Sequence, residues 1–196
     1  MHKMIKPLVF SAALVPLVLV LFKIFQNDLG PDPAQELAKI TGEWAIRFLI
    51  LALSLTPLRL FFNQTEFVRH RRMLGLFALF YATIHFFVWI IFLLQFQWGR
   101  IYEEIVERPF ITIGFCAYII LFVLGVTSPK VMVRKLGRNW KPLHRLVYLS
   151  SILAVVHLLW ILRTNVGEAV LYGSLVAVLL GYRLRHKFKL ARTLLE

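Results

Sequence analysis

The sequence is poor in the residues that build several common kinds of site. It has one cysteine, Cys116, which excludes a disulfide framework, a covalent C-x-x-C-H haem site and a cysteine-ligated iron–sulfur cluster. We expect Cys116 itself to be a small buried apolar side chain. The sequence has neither a G-x-G-x-x-G fingerprint after a strand nor a P-loop, so it offers no nicotinamide or FAD domain. Any electrons that the chain moves must therefore come from other molecules and pass to other molecules.

Long apolar runs take up most of the 196 residues. Hydrophobic residues make up 59% of the sequence, and the mean hydropathy is +0.73. Runs of about 20 apolar residues match the roughly 30 Å of hydrocarbon that a helix must cross. We therefore predict an all-α integral membrane six-helix bundle that forms one domain over residues 1–196, with the second helix starting near Thr41. The predicted spans are about 8–25, 44–62, 73–94, 110–128, 143–162 and 169–182.

The basic residues lie mostly on one side of these spans. Of the 23 Lys and Arg residues, 17 fall in the N-terminal segment, the second loop, the fourth loop with its flanks and the C-terminal tail, whereas eight of the ten acidic residues fall on the opposite side. Because Lys and Arg are enriched in cytoplasmic connections, both termini are predicted to be cytoplasmic. The net charge of +13 reflects this orientation and attraction to anionic membrane lipid, and it requires no nucleic-acid partner.

Two histidines lie deep inside spans that otherwise have almost no polar side chains. His85 is 12 residues past the start of the third predicted span, and His157 is 14 residues past the start of the fifth. These positions correspond to depths of about 18 Å and 21 Å on helices that run in the same direction. Neutral imidazoles at one depth on neighbouring helices can hold a haem iron from opposite faces. We predict such an axial pair, and the alternative is that each is a hydrogen-bonded core histidine.

A third histidine, His144, lies at the start of the fifth predicted span. It precedes His157 by 13 residues, or about 20 Å along a helix, which suits two haems stacked across the membrane. On a regular helix His144 and His157 would point in directions about 140° apart around the axis. A distorted helix start near Pro142 would have to make up the difference. We predict that His144 is a ligand of a second haem, and the alternative is an interfacial polar residue.

The sequence does not decide which residue lies opposite His144 at the second haem. His70 could supply a second axial ligand, whereas Arg71 or Arg72 could pair with haem propionates. The alternative is that this basic run only marks the cytoplasmic side. Near the other ends of their helices, Arg47 and Arg163 could anchor propionates or extend to the membrane interface.

Five stretches of the sequence are similar to one family of membrane proteins. They are TGEWAIRFL at 41–49, RRMLGL with ATIH between 71 and 85, RPFITIG at 108–114, KLGRNWKPLHRLVYL at 135–149 and VHLLW at 156–160. The chain resembles the MsrQ (YedZ) family, the haem-binding membrane subunits of the periplasmic methionine sulfoxide reductase system. That family belongs to the ferric reductase and NADPH oxidase transmembrane superfamily. The matching stretches follow one another in order along the chain.

The resemblance implies a six-helix inner-membrane protein with one or two b-type haems and, in many members, FMN. It implies transfer of electrons from the quinone pool or a cytoplasmic flavin reductase to MsrP, the partner in a heterodimer. MsrP is a periplasmic molybdopterin enzyme that reduces methionine sulfoxide in oxidised proteins. The family histidines map to His85, His144 and His157. The superfamily usually has a histidine at the position that pairs with His144, and in this sequence that position falls at Arg71 and Arg72. The resemblance assigns no residue to an FMN site.

Two other functions are compatible with the sequence. One is a self-sufficient ferric or quinone reductase of cytochrome b type, against which the missing nucleotide domain argues. The other is a small channel or transporter in which His85 and His157 relay protons. A relay is expected to include carboxylates within the spans, and Glu43 and Glu168 are instead predicted to lie at helix ends. No internal repeat is evident in the sequence.

Overall fold

The computed structural model describes residues 2–161 and 166–193, and these segments contain nine α-helices and no strand. In chain order the helices are α1 (His2–Phe25), α2 (Pro33–Phe62), α3 (Glu66–Val88), α4 (Ile101–Glu107), α5 (Pro109–Val126), α6 (Lys130–Leu136), α7 (Trp140–His144), α8 (Leu146–Ile161) and α9 (Val166–Thr193). A π-helical segment, Trp89–Leu93, continues α3, and short 3-10 segments precede α4 and α7.

Five segments of the described chain are long and apolar enough to cross a membrane. They are Ile5–Phe25, Pro33–Phe62, Glu66–Leu93, Pro109–Val126 and Val166–His186. Lys130–His144 and Leu146–Ile161 meet the same criteria only as a pair, with a bend of 42° at the break between them, and counting this pair as one broken span gives six. The prediction of an all-α membrane helical bundle is confirmed. The alternation of spans puts α4 at one end of the bundle, called here the α4 end, and the start of α1 and the end of α9 at the other, called the termini end.

Several helices extend beyond the spans predicted for them. The second helix begins at Pro33 and not near Thr41. Asp32 explains the earlier start, because its Oδ1 accepts a hydrogen bond from the Gln35 N–H at 3.0 Å and caps the first turn, where proline is also favoured. The last helix extends beyond 169–182 in both directions. The end of the fifth predicted span, residue 162, lies outside the described residues.

An aromatic core joins α1 to α2 and α3. Tyr81 is almost fully buried, and its ring stacks on Phe48 with 5.2 Å between the centroids. Its hydroxyl donates to the Ala13 carbonyl at 2.8 Å and accepts from the Leu17 N–H at 3.1 Å. Pro16, which lies between these two groups in sequence, has no N–H and so removes one hydrogen bond from α1. Tyr81 therefore fixes α1 to the bundle at the point where proline weakens the helix.

The single cysteine lies on the outside of the bundle. Cys116 is exposed on α5, as are its apolar neighbours Phe115 and Ile119, so the expectation of a buried side chain is wrong. In a membrane this face of α5 meets lipid. A small apolar thiol suits hydrocarbon and protein core equally well, so its hydrophobicity could not distinguish the two environments.

Candidate functional site

His85 is held by the neighbouring helix α2. Its Nδ1–H donates to the backbone carbonyl of Ala38 at 2.8 Å. One helical turn further along α2, Gly42 provides the space for the ring, because a Cβ at that position would lie 3.1 Å from His85 Nδ1. The sequence of α2 thus places both an acceptor and a gap beside the imidazole of α3.

His157 is held in the same way by α5. Its Nδ1–H donates to the carbonyl of Phe110 at 2.6 Å. One turn further along α5 is Gly114, and a Cβ there would lie only 2.6 Å from two atoms of the His157 ring. A side chain at position 114 would therefore displace the imidazole or break its hydrogen bond.

The two imidazole rings lie next to each other in the α4 half of the bundle, and we call them the histidine pair. Their centroids are 6.2 Å apart and their planes differ by 82°. Because each Nδ1–H is used by a carbonyl, each Nε2 keeps its lone pair. A metal binds an imidazole nitrogen at about 2.0–2.1 Å, so two rings that hold one ion from opposite sides have centroids about 6 Å apart. The observed separation fits a single metal ion bound by both histidines.

The protein supplies few other ligands near this pair. Within residues 2–161 and 166–193, no group of three or more His, Cys, Asp or Glu side chains could hold a metal ion. Two histidines alone suit an ion whose remaining ligands come from a macrocycle, as in haem. Both residues keep a little accessible surface although they lie inside the bundle.

His144 is placed differently from the histidine pair. Its Nε2 lies 3.1 Å from Thr127 Oγ1, and its ring stacks on Trp140 with 4.1 Å between the centroids. The Thr127 hydroxyl already donates to the Val123 carbonyl at 2.7 Å, so it accepts from His144 Nε2–H. His144 thus has the opposite tautomer. The charged group that acts on it is Arg71, and the structure brings no second histidine to it within the described residues.

The other predicted site residues are not gathered around the histidine pair. His70 is half-buried and Arg72 is exposed, and neither has a hydrogen bond or ion pair with another described residue. Arg47 donates to Glu43 Oε2 at 2.7 Å and to the Tyr172 hydroxyl at 2.8 Å. Arg163 lies outside the described residues.

Glu43 is not at a helix end, as the sequence had led us to expect. It lies inside α2 and is buried, because the helix starts at Pro33. Besides Arg47, its neighbours include Lys39, whose Nζ is 3.8 Å from Oε1, and Glu168 on α9. Arg47 joins this group to α9 through the Tyr172 hydroxyl, and no hydrogen bond joins it to the histidine pair within the described residues.

The sequence matches known proteins along almost its whole length. Residues 41–165 match the family model described as "Ferric reductase like transmembrane component". Over 194 residues the chain is 42% identical to the "Protein-methionine-sulfoxide reductase heme-binding subunit MsrQ" of Xanthomonas oryzae pv. oryzae (strain MAFF 311018), an alignment that covers 96% of this chain and 89% of that protein. The chain belongs to the MsrQ family. MsrQ of Polaromonas naphthalenivorans (strain CJ2) is 36% identical over 195 residues, which are 98% of this chain and 89% of that relative.

The structure of this MsrQ family member also contains a repeat that the sequence analysis missed. In both units a histidine donates to a carbonyl 47 residues earlier, and a glycine follows that carbonyl by one turn. An alanine also precedes each histidine by three residues, at Ala82 and Ala154. The helix pairs α2–α3 and α5–α8 therefore hold their histidines by the same local contacts. The shared spacing of the glycine, the alanine and the histidine was the sequence signal, and it is too sparse to stand out among so many apolar residues.

Proposed function

We propose that this MsrQ family member is the haem-binding, electron-transferring membrane subunit of a protein methionine sulfoxide reductase system. The observation that carries the proposal is the histidine pair, with 6.2 Å between the centroids and both Nδ1–H groups given to backbone carbonyls. Histidines that bind metals usually donate their second nitrogen in this way. The relatives are named for haem binding and for methionine sulfoxide reductase, which supports the same function.

The haem is proposed to be of b type, and His85 and His157 would hold its iron. Bound haem would supply a one-electron carrier inside the membrane. The carbonyls of Ala38 and Phe110 fix the tautomer and the orientation of the two ligands. The apolar helices around them exclude water, which keeps the two imidazoles neutral and available as ligands.

A second haem is proposed in the termini half of the bundle, with His144 as one ligand and Arg71 nearby. Its support is the position of His144, the closeness of Arg71 and the absence of a competing acidic partner for Arg71 among the described residues. His144 would have to exchange its contact with Thr127 for the iron or coordinate through Nδ1. FMN is proposed as a further cofactor on the family resemblance alone.

The direction of electron transfer is proposed from the charge distribution and the missing nucleotide domain. Both termini are placed in the cytoplasm and the α4 end at the periplasmic face of the bacterial inner membrane. Electrons would enter from the quinone pool or from a cytoplasmic flavin reductase. They would leave at the α4 end to MsrP, the periplasmic molybdopterin enzyme, for repair of methionine sulfoxide in oxidised proteins.

The two alternatives differ from this proposal in testable ways. A self-sufficient ferric or quinone reductase would keep its activity without MsrP. A proton relay through the histidine pair would need hydrogen-bonded carboxylates, but Nδ1 of each histidine donates to a backbone carbonyl and the buried Glu43 is engaged by Arg47.

The experiment is electron delivery by the purified protein in liposomes. Quinol inside a liposome, or a flavin reductase with NADH, is offered as donor, and MsrP with a methionine sulfoxide peptide is offered outside. Haem-dependent reduction of the peptide is expected only when both proteins are present. A preparation that binds no haem under haem-replete expression, or that reduces ferric iron equally well without MsrP, would contradict the proposed function.

A further inference from the structure

A half-buried arginine lies in the termini half of the bundle, away from the histidine pair. Arg183 of α9 reaches across to α2, where Nη2 donates to the Leu53 carbonyl, and its guanidinium lies over the ring of Tyr148 of α8 at 5.1 Å. Its Nε and Nη1 atoms are buried and have no hydrogen-bond partner among the described residues. Besides the Leu53 carbonyl and the adjacent Tyr148 side chain, this guanidinium therefore has unused donors.

A second cation lies in the same half of the bundle. Arg71 of α3 is half-buried and lies within electrostatic range of both Arg183 and His144. Neither arginine has an ion pair with a described residue, and Glu66, the described acid at this end of the bundle, pairs with Arg69 at 2.8 Å. We call Arg71 and Arg183 the arginine cluster.

Two guanidinium groups at this depth are unfavourable without a counter-charge. Charges inside a membrane protein are normally paired, because the removal of an unpaired ion from water is strongly unfavourable. Tyr148 follows His144 by four residues along the chain, so the Arg183 guanidinium lies about one helical turn deeper than His144. The missing partner is therefore expected to be an anion that enters the bundle from the termini end.

We propose that Arg183 and Arg71 together bind an oxyanion, either a carboxylate or a phosphate group, of a membrane-embedded ligand. Planar guanidinium groups present several N–H donors in fixed directions that match the oxygens of both groups. The carboxylate source is a propionate of the second haem proposed at His144, and the phosphate source is the headgroup of an acidic phospholipid. The site does not depend on the haem of the histidine pair.

The test compares the full-length wild type with the Arg183→Ala and Arg71→Ala variants. All are expressed with excess haem and purified in the same mild detergent. Arg185→Ala is the matched control, because Arg185 is on the same helix with an exposed side chain. Haem per protein is measured by the pyridine haemochrome assay. Phosphatidylglycerol, added back as the probe, is counted by native mass spectrometry.

The loss of charge-assisted hydrogen bonds is expected to weaken retention of the bound group by roughly tenfold or more in Arg183→Ala and Arg71→Ala, and not in Arg185→Ala. Loss of the same haem that His144→Ala removes identifies a propionate. Unchanged haem with loss of phosphatidylglycerol identifies a lipid phosphate. Equal haem and equal phosphatidylglycerol in all variants would overturn the proposal.

Two features keep this test interpretable. If Arg183→Ala does not fold, Arg183→Lys retains the charge but not the planar set of donors, and partial loss of the bound group is then expected. Full retention by both Arg183→Lys and Arg71→Ala counts against the site. A wild type without haem at the histidine pair would contradict the proposed function, whereas the phosphatidylglycerol measurement would still decide on the arginine cluster.

Discussion

The two halves of the bundle use histidine and arginine in contrasting ways. In the α4 half, His85 and His157 have the same tautomer, the same kind of carbonyl partner and the same neighbouring glycine, and their rings are adjacent. In the termini half, His144 has the opposite tautomer and its charged neighbours are arginines. One half is thus prepared for a neutral bis-imidazole ligand set, and the other for negative charge.

The contrast teaches that depth in the membrane does not by itself define a ligand. All three histidines were predicted as ligands from their positions along two spans. In the structure the three histidines differ in which ring nitrogen forms a hydrogen bond. Nε2 of His144 donates to Thr127, so this contact must break before Nε2 can bind a metal. The predictions below test whether the two halves are as independent as this difference indicates.

The largest expected effect is that of removing either member of the histidine pair. His85→Ala and His157→Ala are each expected to weaken haem binding in the α4 half by more than about a hundredfold, since loss of a partner of a ligand alone costs 10–100-fold. Reduced-minus-oxidised spectra with haem quantitation provide the measurement. His70→Ala, on the same helix as His85, is the control and is expected to retain this haem. If His85→Ala and His157→Ala both keep the full haem content, the histidine pair is excluded as the haem site.

The next effect comes from filling the space beside a ligand. Gly114→Ala places a Cβ 2.6 Å from the His157 ring, so the ring must move and its bond to Phe110 must weaken. We expect haem affinity to fall by roughly 10–100-fold. Gly42→Ala brings a Cβ only to 3.1 Å from His85 and is expected to have a smaller effect.

Gly75→Ala is the matched control for these glycine variants, because a Cβ at position 75 of α3 has no other atom within 4 Å. Haem titration of the apoprotein gives the affinity of each variant. Equal affinities for Gly114→Ala and Gly75→Ala would mean that the close packing against His157 is not needed to position the ligand.

The glycine positions also mark the limit of what the sequence could predict. Helix type, the membrane setting and the depth of His85 and His157 follow from apolar run length and residue counting, and the structure brings these two rings together. The start of α2 was misplaced because a cap at Asp32 lies outside the apolar run. The carbonyls of Ala38 and Phe110 could not be predicted, because backbone acceptors have no sequence signature and are selected only by helix packing.

A smaller effect is expected for Thr127→Val, which acts only in the termini half. The change removes the hydroxyl that accepts from His144 Nε2–H while keeping the shape of the side chain. If His144 binds a second haem, we expect about a tenfold change in the affinity of that haem and an unchanged haem at the histidine pair. Ser128→Ala, which removes a hydroxyl bonded only to the Leu124 carbonyl, is the control. A change in the spectrum of the pair would show that the two halves are coupled.

The smallest effect on either half is expected for Tyr81→Phe, which alters the contact that fixes α1. Removal of the hydroxyl leaves the Ala13 carbonyl and the Leu17 N–H without their shared partner beside Pro16. The expected loss is about 1–3 kcal/mol in the free energy of unfolding, because these groups lie away from water. Thermal unfolding in detergent measures the change, with haem content expected to stay at the wild-type value. Tyr81 stacks on Phe48 and does not bond to either histidine. A loss of haem without a loss of stability would therefore mean that the packing of α1 affects haem binding at the histidine pair. The two halves of the bundle would then be less independent than their separate contacts indicate.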